Sequence, residues 1–451
     1  MRRERLVRWA AAALLILLAG LAAASAGRGI YKANQTVCDF EQFWVSGVLV
    51  RGGLNPYRVF LEDRALLESY AQPYNPDWTC SDPLPDRPNY NTPLLSVLML
   101  PLAWASFPAA RAIWSGLQVA FAVALPLVML RLNRRVTGAV WQAGAVLLFL
   151  SWSPVRTTFG HGQVALVTSL AAMLAVVLAY RGRPGWAGVL FGLALSKYTL
   201  TGALVLFFLV YRHYRVIGVA LLVQLAGVLA LALLVGETPL QVAGSYVSLL
   251  GSAIGQGYEI VSLDGWLNVL GVSPAASALG ALGAGTLIVA ALVLPHYVSE
   301  ALGRETASDP DRVRLKANLL VVILVLVGLL FTYHRSYDVP LAFVVITFIV
   351  GLLPMRVRGG RLAAGLIAVG LVLSVALIVP PSLPSLILDP PASLIAAALP
   401  VTLALLLALL LALAASIAAL ARLDSLAASD ATPPVTESHE SSVVLEVQRR
   451  I

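Results

Sequence analysis

The sequence predicts an all-α integral membrane protein, a bundle of about twelve transmembrane helices with shorter juxtamembrane helices at its outer face. Three observations carry this reading. The chain of 451 residues is 59% hydrophobic and only 12% charged, where a soluble domain has about 25% charged residues. Apolar runs of about 20 residues, each enough to cross a bilayer as a helix, recur along almost its whole length. No alternating apolar–polar pattern accompanies them, which argues against a β-barrel. The basic residues fall in short clusters between the apolar runs, where they set topology. The net charge of +8 is therefore read as a membrane signature, and nucleic acid is not expected as a partner.

The N-terminal stretch MRRERLVRWAAAALLILLAGLAAASAG has a basic head, an apolar centre and a small-residue end at Ala24-Ser25-Ala26 that resembles a signal-peptide cleavage site. It reads as a retained signal-anchor helix over residues 1–26, with Trp9 to Ala26 as the first span. Residues 27–107 form the first extracytoplasmic loop. Within it Asp39 is placed to cap a helix from Phe40 to about Val50, which Gly52-Gly53 ends. Phe40, Phe43, Trp44 and Val48 are expected to anchor one face of that helix at the membrane interface. Asn91 to Ser106 is apolar, but Pro93 and Pro101 interrupt it and Pro108 follows. As one helix it rises only ~24 Å, short of the ~30 Å hydrocarbon core, so it is expected to lie at the outer interface.

The multi-span bundle occupies residues 108–421. Its predicted spans are Ala109–Leu130, Val136–Trp152 and Val164–Tyr180. Two short helices then meet near Lys197 at the outer face. Val216–Val235, Ala275–Leu294, Ala317–Phe331, Val339–Leu353, Leu362–Val379 and Val401–Ala421 complete the set. Residues 422–451 read as a disordered cytoplasmic tail. In this arrangement 21 of the 31 Lys and Arg residues fall on the cytoplasmic side. Making Asn91–Ser106 a full span would move most clusters to the wrong side.

The two cysteines, Cys38 and Cys80, both fall in the first loop, where an oxidising compartment would permit a disulfide between them; two independent small residues is the alternative. No C-x-x-C spacing supports a zinc site, and neither a metal nor another cofactor is expected.

The polar residues assigned to the outer face are few. Asp39 and Glu41 open the first loop and Arg111 starts the second span. Arg156, His161 and Gln163 lie in SPVRTTFGHGQ. Lys197 tops the two short helices, and His334, Arg335, Tyr337 and Asp338 lie in TYHRSYDVP. Cations near hydrocarbon are costly and are usually paired or functional. Lys197, His334, Arg335, Arg111 and Arg156 suit the neutralisation of a phosphate, Arg as a fork and Lys as a point charge. A carboxylate beside them suits removal of a proton from an acceptor hydroxyl while the cations stabilise a departing lipid phosphate. That chemistry is glycosyl transfer.

Asp39, the following GGLNPY, YNTPLLSVLMLPLAWASFPAARAIW, GHGQ, GVLFGLALSKYTL and YHRSYD together resemble glycosyltransferase family 87, from about Asp39 to Asp338. The resemblance implies the GT-C fold and inverting transfer of a hexose, mannose first among them, from a polyprenyl-phosphate donor to a glycolipid or glycan acceptor. The topology set by the basic clusters places the site at the extracytoplasmic face of the plasma membrane, and the resemblance implies Asp39 as general base, with Glu41 as the alternative base. Glu41, His161, Gln163, Tyr337 and Asp338 are then candidate acceptor or sugar contacts.

Blander roles stand beside these. Asp39 as a helix cap, Lys197 snorkelling to headgroups and Arg335 paired with Asp338 all fit the same residues. A secondary transporter or lipid flippase is the alternative class, which would show paired repeats and polar residues at mid-membrane depth.

Overall fold

A computed structural model describes residues 2–35, 38–71, 88–132, 138–252, 262–263, 266–267, 271–301, 310–332, 336–352, 402 and 406. These residues contain helices and no strand. The spans expected over Leu362–Val379 and Val401–Ala421, and the tail, lie outside them apart from Thr402 and Leu406. By length and apolarity four described helical stretches suffice to cross a membrane, or five if the bent pair 153–161 and 165–180 counts as one span. The described residues do not confirm the expected count of about twelve.

The N-terminal helix α1 (Arg2–Gln35) does not stop at Ala26 but runs on for two more turns, where Gly29 and Lys32 pack on residues 156–160. Next comes α2 (Cys38–Arg51), with Asp39 and Glu41 in its first turn. Asp39 therefore sits inside the helix rather than capping it from outside. Acids in a first turn favour a helix because they face the positive end of its dipole. The expected glycine stop is present: Gly53 has φ +74°, its N–H donates to the Val50 carbonyl, and the Leu54 N–H donates to the Leu49 carbonyl. This pair of bonds is a Schellman cap, and a left-handed glycine makes it without strain.

The aromatic face of α2 is buried by protein, contrary to the expectation of an interfacial anchor. Phe40, Phe43, Trp44 and Val48 are all buried. Phe40 stacks on Trp114 at 5.6 Å and Phe107 at 6.0 Å, and the Trp44 indole donates to the Leu102 carbonyl. The partners come from α6 (Phe107–Leu132) and from the segment expected at the interface. That segment is two pieces, α5 (Pro93–Leu98) and a 3-10 turn at Leu102–Trp104, neither long enough to span. Between α2 and α5 come α3 (Pro56–Glu62) and α4 (Arg64–Ala71). Asn55 caps α3, accepting from the Tyr57 and Arg58 N–H groups.

Helix α7 (Ala139–Ser151) is followed after Trp152 by α8 (Ser153–His161). Gly144 lies against Leu15, Gly29 against Arg156 and Gly160 against Lys32, so α7 and α8 run parallel to α1. Gly162, at φ +68°, ends α8, and the chain turns through 117° into α9 (Ala165–Tyr180). A short turn leads back into α10 (Pro184–Ala194). A 3-10 turn at Leu195–Lys197, α11 (Tyr198–Thr201), a second 3-10 turn and α12 (Val205–Val210) follow.

Residues 184–210 are long and apolar enough for one span, yet they double back. The Phe191 and Phe208 rings lie 4.7 Å apart, whereas one straight helix would separate them by about 25 Å along its axis. The reversal lies near Lys197, and α13 (Tyr214–Val235) then runs beside α10 in the same direction. Gly188 meets Val216 and Val219, and Gly192 meets Ala220 and Val223. A Cβ at Gly188 would lie 2.5 Å from that of Val219, whereas one at Gly116 of α6 meets nothing within 4 Å. Gly188→Ala is therefore expected to cost about 1–3 kcal/mol through overpacking. Gly116→Ala should instead stabilise by roughly 0.5–1 kcal/mol. Thermal unfolding of the two purified variants in one detergent checks the difference in sign.

The remaining helices are α14 (Pro239–Ser252), α15 (Pro274–Ala301), α16 (Pro310–Phe331) and α17 (Phe343–Leu352), with a 3-10 segment at Ser336–Ala342 before the last. Arg314 and Asn318 at the start of α16 donate to the Leu132 carbonyl at the end of α6, and Tyr180 donates to Asn318. At its other end Thr332 donates to the Thr199 carbonyl beside Lys197. The bundle thus has two ends. One carries Arg131, Arg181, Arg183, Arg212 and Arg314. The other gathers α2, the Gly162 turn, the Lys197 turn and the 336–342 segment.

Candidate active site

At this second end four separate segments bring polar side chains together among apolar walls. Asp39 comes from the first turn of α2, His161 from the last turn of α8 and Gln163 from the turn after it, Lys197 from the reversal after α10, and Tyr337 and Asp338 from the 3-10 segment. The Asp39 carboxylate is buried. Its Oδ2 accepts from Gln163 Nε2 at 2.9 Å and lies 3.5 Å from His161 Nδ1. Its Oδ1 accepts a longer bond, 3.3 Å, from Gln42 Nε2 one turn further along α2.

Gln163 can be oriented in only one way. Its Oε1 accepts from Lys197 Nζ at 3.2 Å and from the Val164 N–H at 3.3 Å, so its NH2 group faces Asp39. Lys197 in turn forms an ion pair with Asp338 at 2.5 Å and lies 4.9 Å from the centre of the Tyr337 ring, within cation–π range. His161 packs against the same ring at 5.8 Å. A continuous path therefore runs Asp338–Lys197–Gln163–Asp39–His161. The pairing of Lys197 with Asp338 replaces the alternative of Lys197 snorkelling alone. It also answers how a lysine is tolerated there, since buried charges need partners.

The turn holding Gln163 is fixed from α6. Trp114 Nε1 donates to the Gly162 carbonyl and Gln118 Nε2 to the Gln163 carbonyl, both at 2.7 Å. Trp114 and Gln118 are one helical turn apart, so one face of α6 makes both bonds. Sequence reasoning missed Gln118, Trp114 and Gln42. The signal for Gln118 was available, because an amide within an apolar span is costly and usually bonded inside the bundle. Gln42 follows Asp39 by three residues, the spacing that puts two side chains on one helix face.

The other expected site residues sort as follows. Glu41 is buried, but two residues from Asp39 it points about 200° around the helix. Arg111 is half-buried at the start of α6, its guanidinium 6.0 Å from the Phe107 ring. Arg156 is half-buried in α8 and donates to Ser153 Oγ. Neither Arg is bonded to the Asp39 network among the described residues. His334 and Arg335 lie outside the described residues, as does Cys80, so the proposed Cys38–Cys80 pair does too. No group of three or more His, Cys, Asp or Glu suited to a metal occurs among the described residues.

A second polar set borders the first. Asn89 donates to Ser46 of α2 and Asn55 to Glu237, which also pairs with Arg58 at 3.0 Å. The Tyr57 hydroxyl donates to the Asn91 carbonyl; burial holds it well above the usual phenol range, with Ser96 opposing the shift. The Thr92 N–H donates to the Ser196 carbonyl, so this loop braces the Lys197 turn.

A chain whose described residues form helices and no strand, with several membrane-length apolar helices and a carboxylate–lysine network sunk at one end, belongs to the class of multi-span membrane proteins with a buried polar site. Residues 90–381 match the model of glycosyltransferase family 87, and the chain belongs to that family. His161, Gln163, Lys197, Tyr337 and Asp338 fall inside the match, while Asp39 precedes it. The chain is also 28% identical over 279 residues to a polyprenol-phosphate-mannose-dependent alpha-(1-2)-phosphatidylinositol pentamannoside mannosyltransferase of Mycolicibacterium smegmatis. That alignment covers 59% of this chain and 63% of the relative's length. No solved structure matches the chain.

Proposed function

We propose that this protein transfers a hexose, mannose first among the candidates, from a polyprenyl-phosphate donor to a glycolipid or glycan acceptor. The observation that carries the proposal is the Asp39 network: a buried carboxylate held by Gln163 within a cluster that also contains a lysine and a histidine. Family membership supports the transfer, and the relative's name supports the donor and a lipid-linked acceptor.

Asp39 acts as general base in a single inverting displacement. The acceptor hydroxyl approaches Oδ1, gives up its proton to that oxygen and attacks the anomeric carbon of the donor. The bond from that carbon to the phosphate oxygen breaks, and polyprenyl phosphate leaves. Arg111, Arg156, His334 and Arg335 meet the negative charge that grows on the leaving phosphate. Lys197 has its own charge largely balanced by Asp338. His161 and Tyr337 lie where sugar hydroxyls can bond.

The site faces the extracytoplasmic side of the plasma membrane. The support is the separation of the two ends: arginines gather at the end opposite Asp39, and clusters of that kind remain cytoplasmic. In this reading α1 is retained as the signal anchor, residues 27–107 supply the base, residues 108–421 form the GT-C bundle and residues 422–451 trail in the cytoplasm.

The test is transfer by the purified full-length chain in detergent or nanodiscs, given polyprenyl-phosphate mannose labelled in the sugar and a panel of phosphatidylinositol mannosides. Label passing into the glycolipid, with inverted configuration at the anomeric carbon, is the expected result. Movement of the intact labelled donor across a vesicle membrane without transfer would favour the flippase reading instead.

A further inference from the structure

We infer that Gln163 is a positioning residue for the base, and that Lys197 acts on Asp39 through it rather than by holding the donor phosphate. This rests on the proposed base role of Asp39 and adds how that base is aimed. The sequence reading placed Lys197 among the phosphate ligands and Gln163 among the sugar contacts. The geometry divides the work differently.

Lys197 has a full set of neighbours without a substrate. Its ammonium meets Asp338 Oδ1, Gln163 Oε1 and the face of Tyr337. An ammonium has three N–H donors, and a cation whose charge is balanced by a buried carboxylate has little left for a second anion. What it does hold firmly is the amide of Gln163. Because Oε1 is claimed by Lys197 and by the Val164 N–H, the amide cannot flip, and Nε2 is committed to Asp39 Oδ2. The backbone under it is committed as well, through Trp114 and Gln118.

The consequence falls on the carboxylate. With Oδ2 held by Gln163 and near His161, the plane of the carboxylate is set. Among the described residues Oδ1 keeps only its long bond to Gln42, so it is the oxygen left for an acceptor hydroxyl. A base held in one orientation avoids the rate loss that follows when reacting groups are misplaced.

The experiment is a double-mutant cycle on the full-length enzyme with polyprenyl-phosphate mannose and a phosphatidylinositol mannoside. Removing Lys197 alone would also unbalance the Asp338 carboxylate it pairs with, so the lysine is removed as the pair Lys197→Met/Asp338→Asn. Gln163→Met is made in the wild type and in that background. The inference predicts that each change lowers kcat by about 10–100-fold with little change in donor KM, the scale expected of a misplaced base. It also predicts that the combination is no worse than about threefold beyond the more damaging change, because residues acting as one unit are not additive. Losses that multiply, or a donor KM that rises with loss of Lys197, would overturn it and return Lys197 to the phosphate.

Gln163→Glu gives a second readout if the other variants fold poorly. It sets a second carboxylate against Asp39, with His161, Lys197 and Asp338 as the charged or titratable groups facing the pair and Glu41 on the same helix. Two carboxylates sharing a site resist joint ionisation, so the acidic limb of kcat against pH should move to higher pH. An unmoved limb contradicts the inference. Asp39→Asn, run alongside, separates the failures. If it stays active, the base itself is wrong; if it is dead while the cycle multiplies, only the role of Gln163 and Lys197 is.

Discussion

Replacing Asp39 with Asn is expected to lower sugar transfer by about 10²–10⁴-fold, the range that a positioned general base contributes. The fold should survive. Asn is the same size, and its carbonyl oxygen can still accept from Gln163 Nε2 where Asp39 Oδ2 does now. The Gln42 amide can turn to receive the new NH2 group, since its bond to Oδ1 is long and comes from its own helix. The measurement is initial rate per mole of folded protein, with elution profile and melting temperature as controls. Glu41→Gln is the comparison, because Glu41 is also buried in the first turn of α2 but points elsewhere. A large loss at 41 with little at 39 would hand the base role to Glu41.

The second large effect is on stability. Lys197→Met should destabilise by about 3–5 kcal/mol, because breaking a buried ion pair takes from the Asp338 carboxylate the ammonium that balances it. Asp338 is only 2% exposed, so water cannot take the place of the ammonium. Adding Asp338→Asn removes the carboxylate that the ammonium balanced and should recover most of the loss, since replacing both members of a buried pair is often near neutral. The melting temperatures of the single and double variants, measured in one detergent, check this. If the single variant melts with the wild type, the pair contributes nothing to the fold.

These two residues also show how far the sequence could be read. Asp39 and Lys197 stand out in an apolar chain because charge near hydrocarbon demands a reason, and the order of the apolar runs allowed both to be placed at one end. The reversal at Lys197 was legible for the same cause: a 27-residue apolar stretch with a lysine in its middle suits two short helices better than one. The GG after α2 marked its end, and the prolines at 93 and 101 marked a segment unable to span. The covering of the aromatic face of α2 was not legible. Phe40 and Trp44 look alike whether they meet lipid headgroups or Trp114 and Phe107, and only the long-range fold decides. The partner of Lys197 was hidden for a similar reason, since Asp338 lies 141 positions away with Arg335 nearer to hand in sequence. Arg111 and Arg156 carry the charge expected of phosphate ligands, but their reach into the cluster depends on what the substrate brings.

The most direct test of the central claim is a cryo-EM structure of the Asp39→Asn variant with polyprenyl-phosphate mannose and an acceptor glycolipid bound. The account predicts the acceptor hydroxyl within about 3 Å of the side chain at position 39, a hydrogen-bond distance. It also predicts that the donor phosphate lies toward Arg111, Arg156 and the 334–335 pair. Donor and acceptor bound at the opposite, arginine-rich end, or meeting away from position 39, would contradict it.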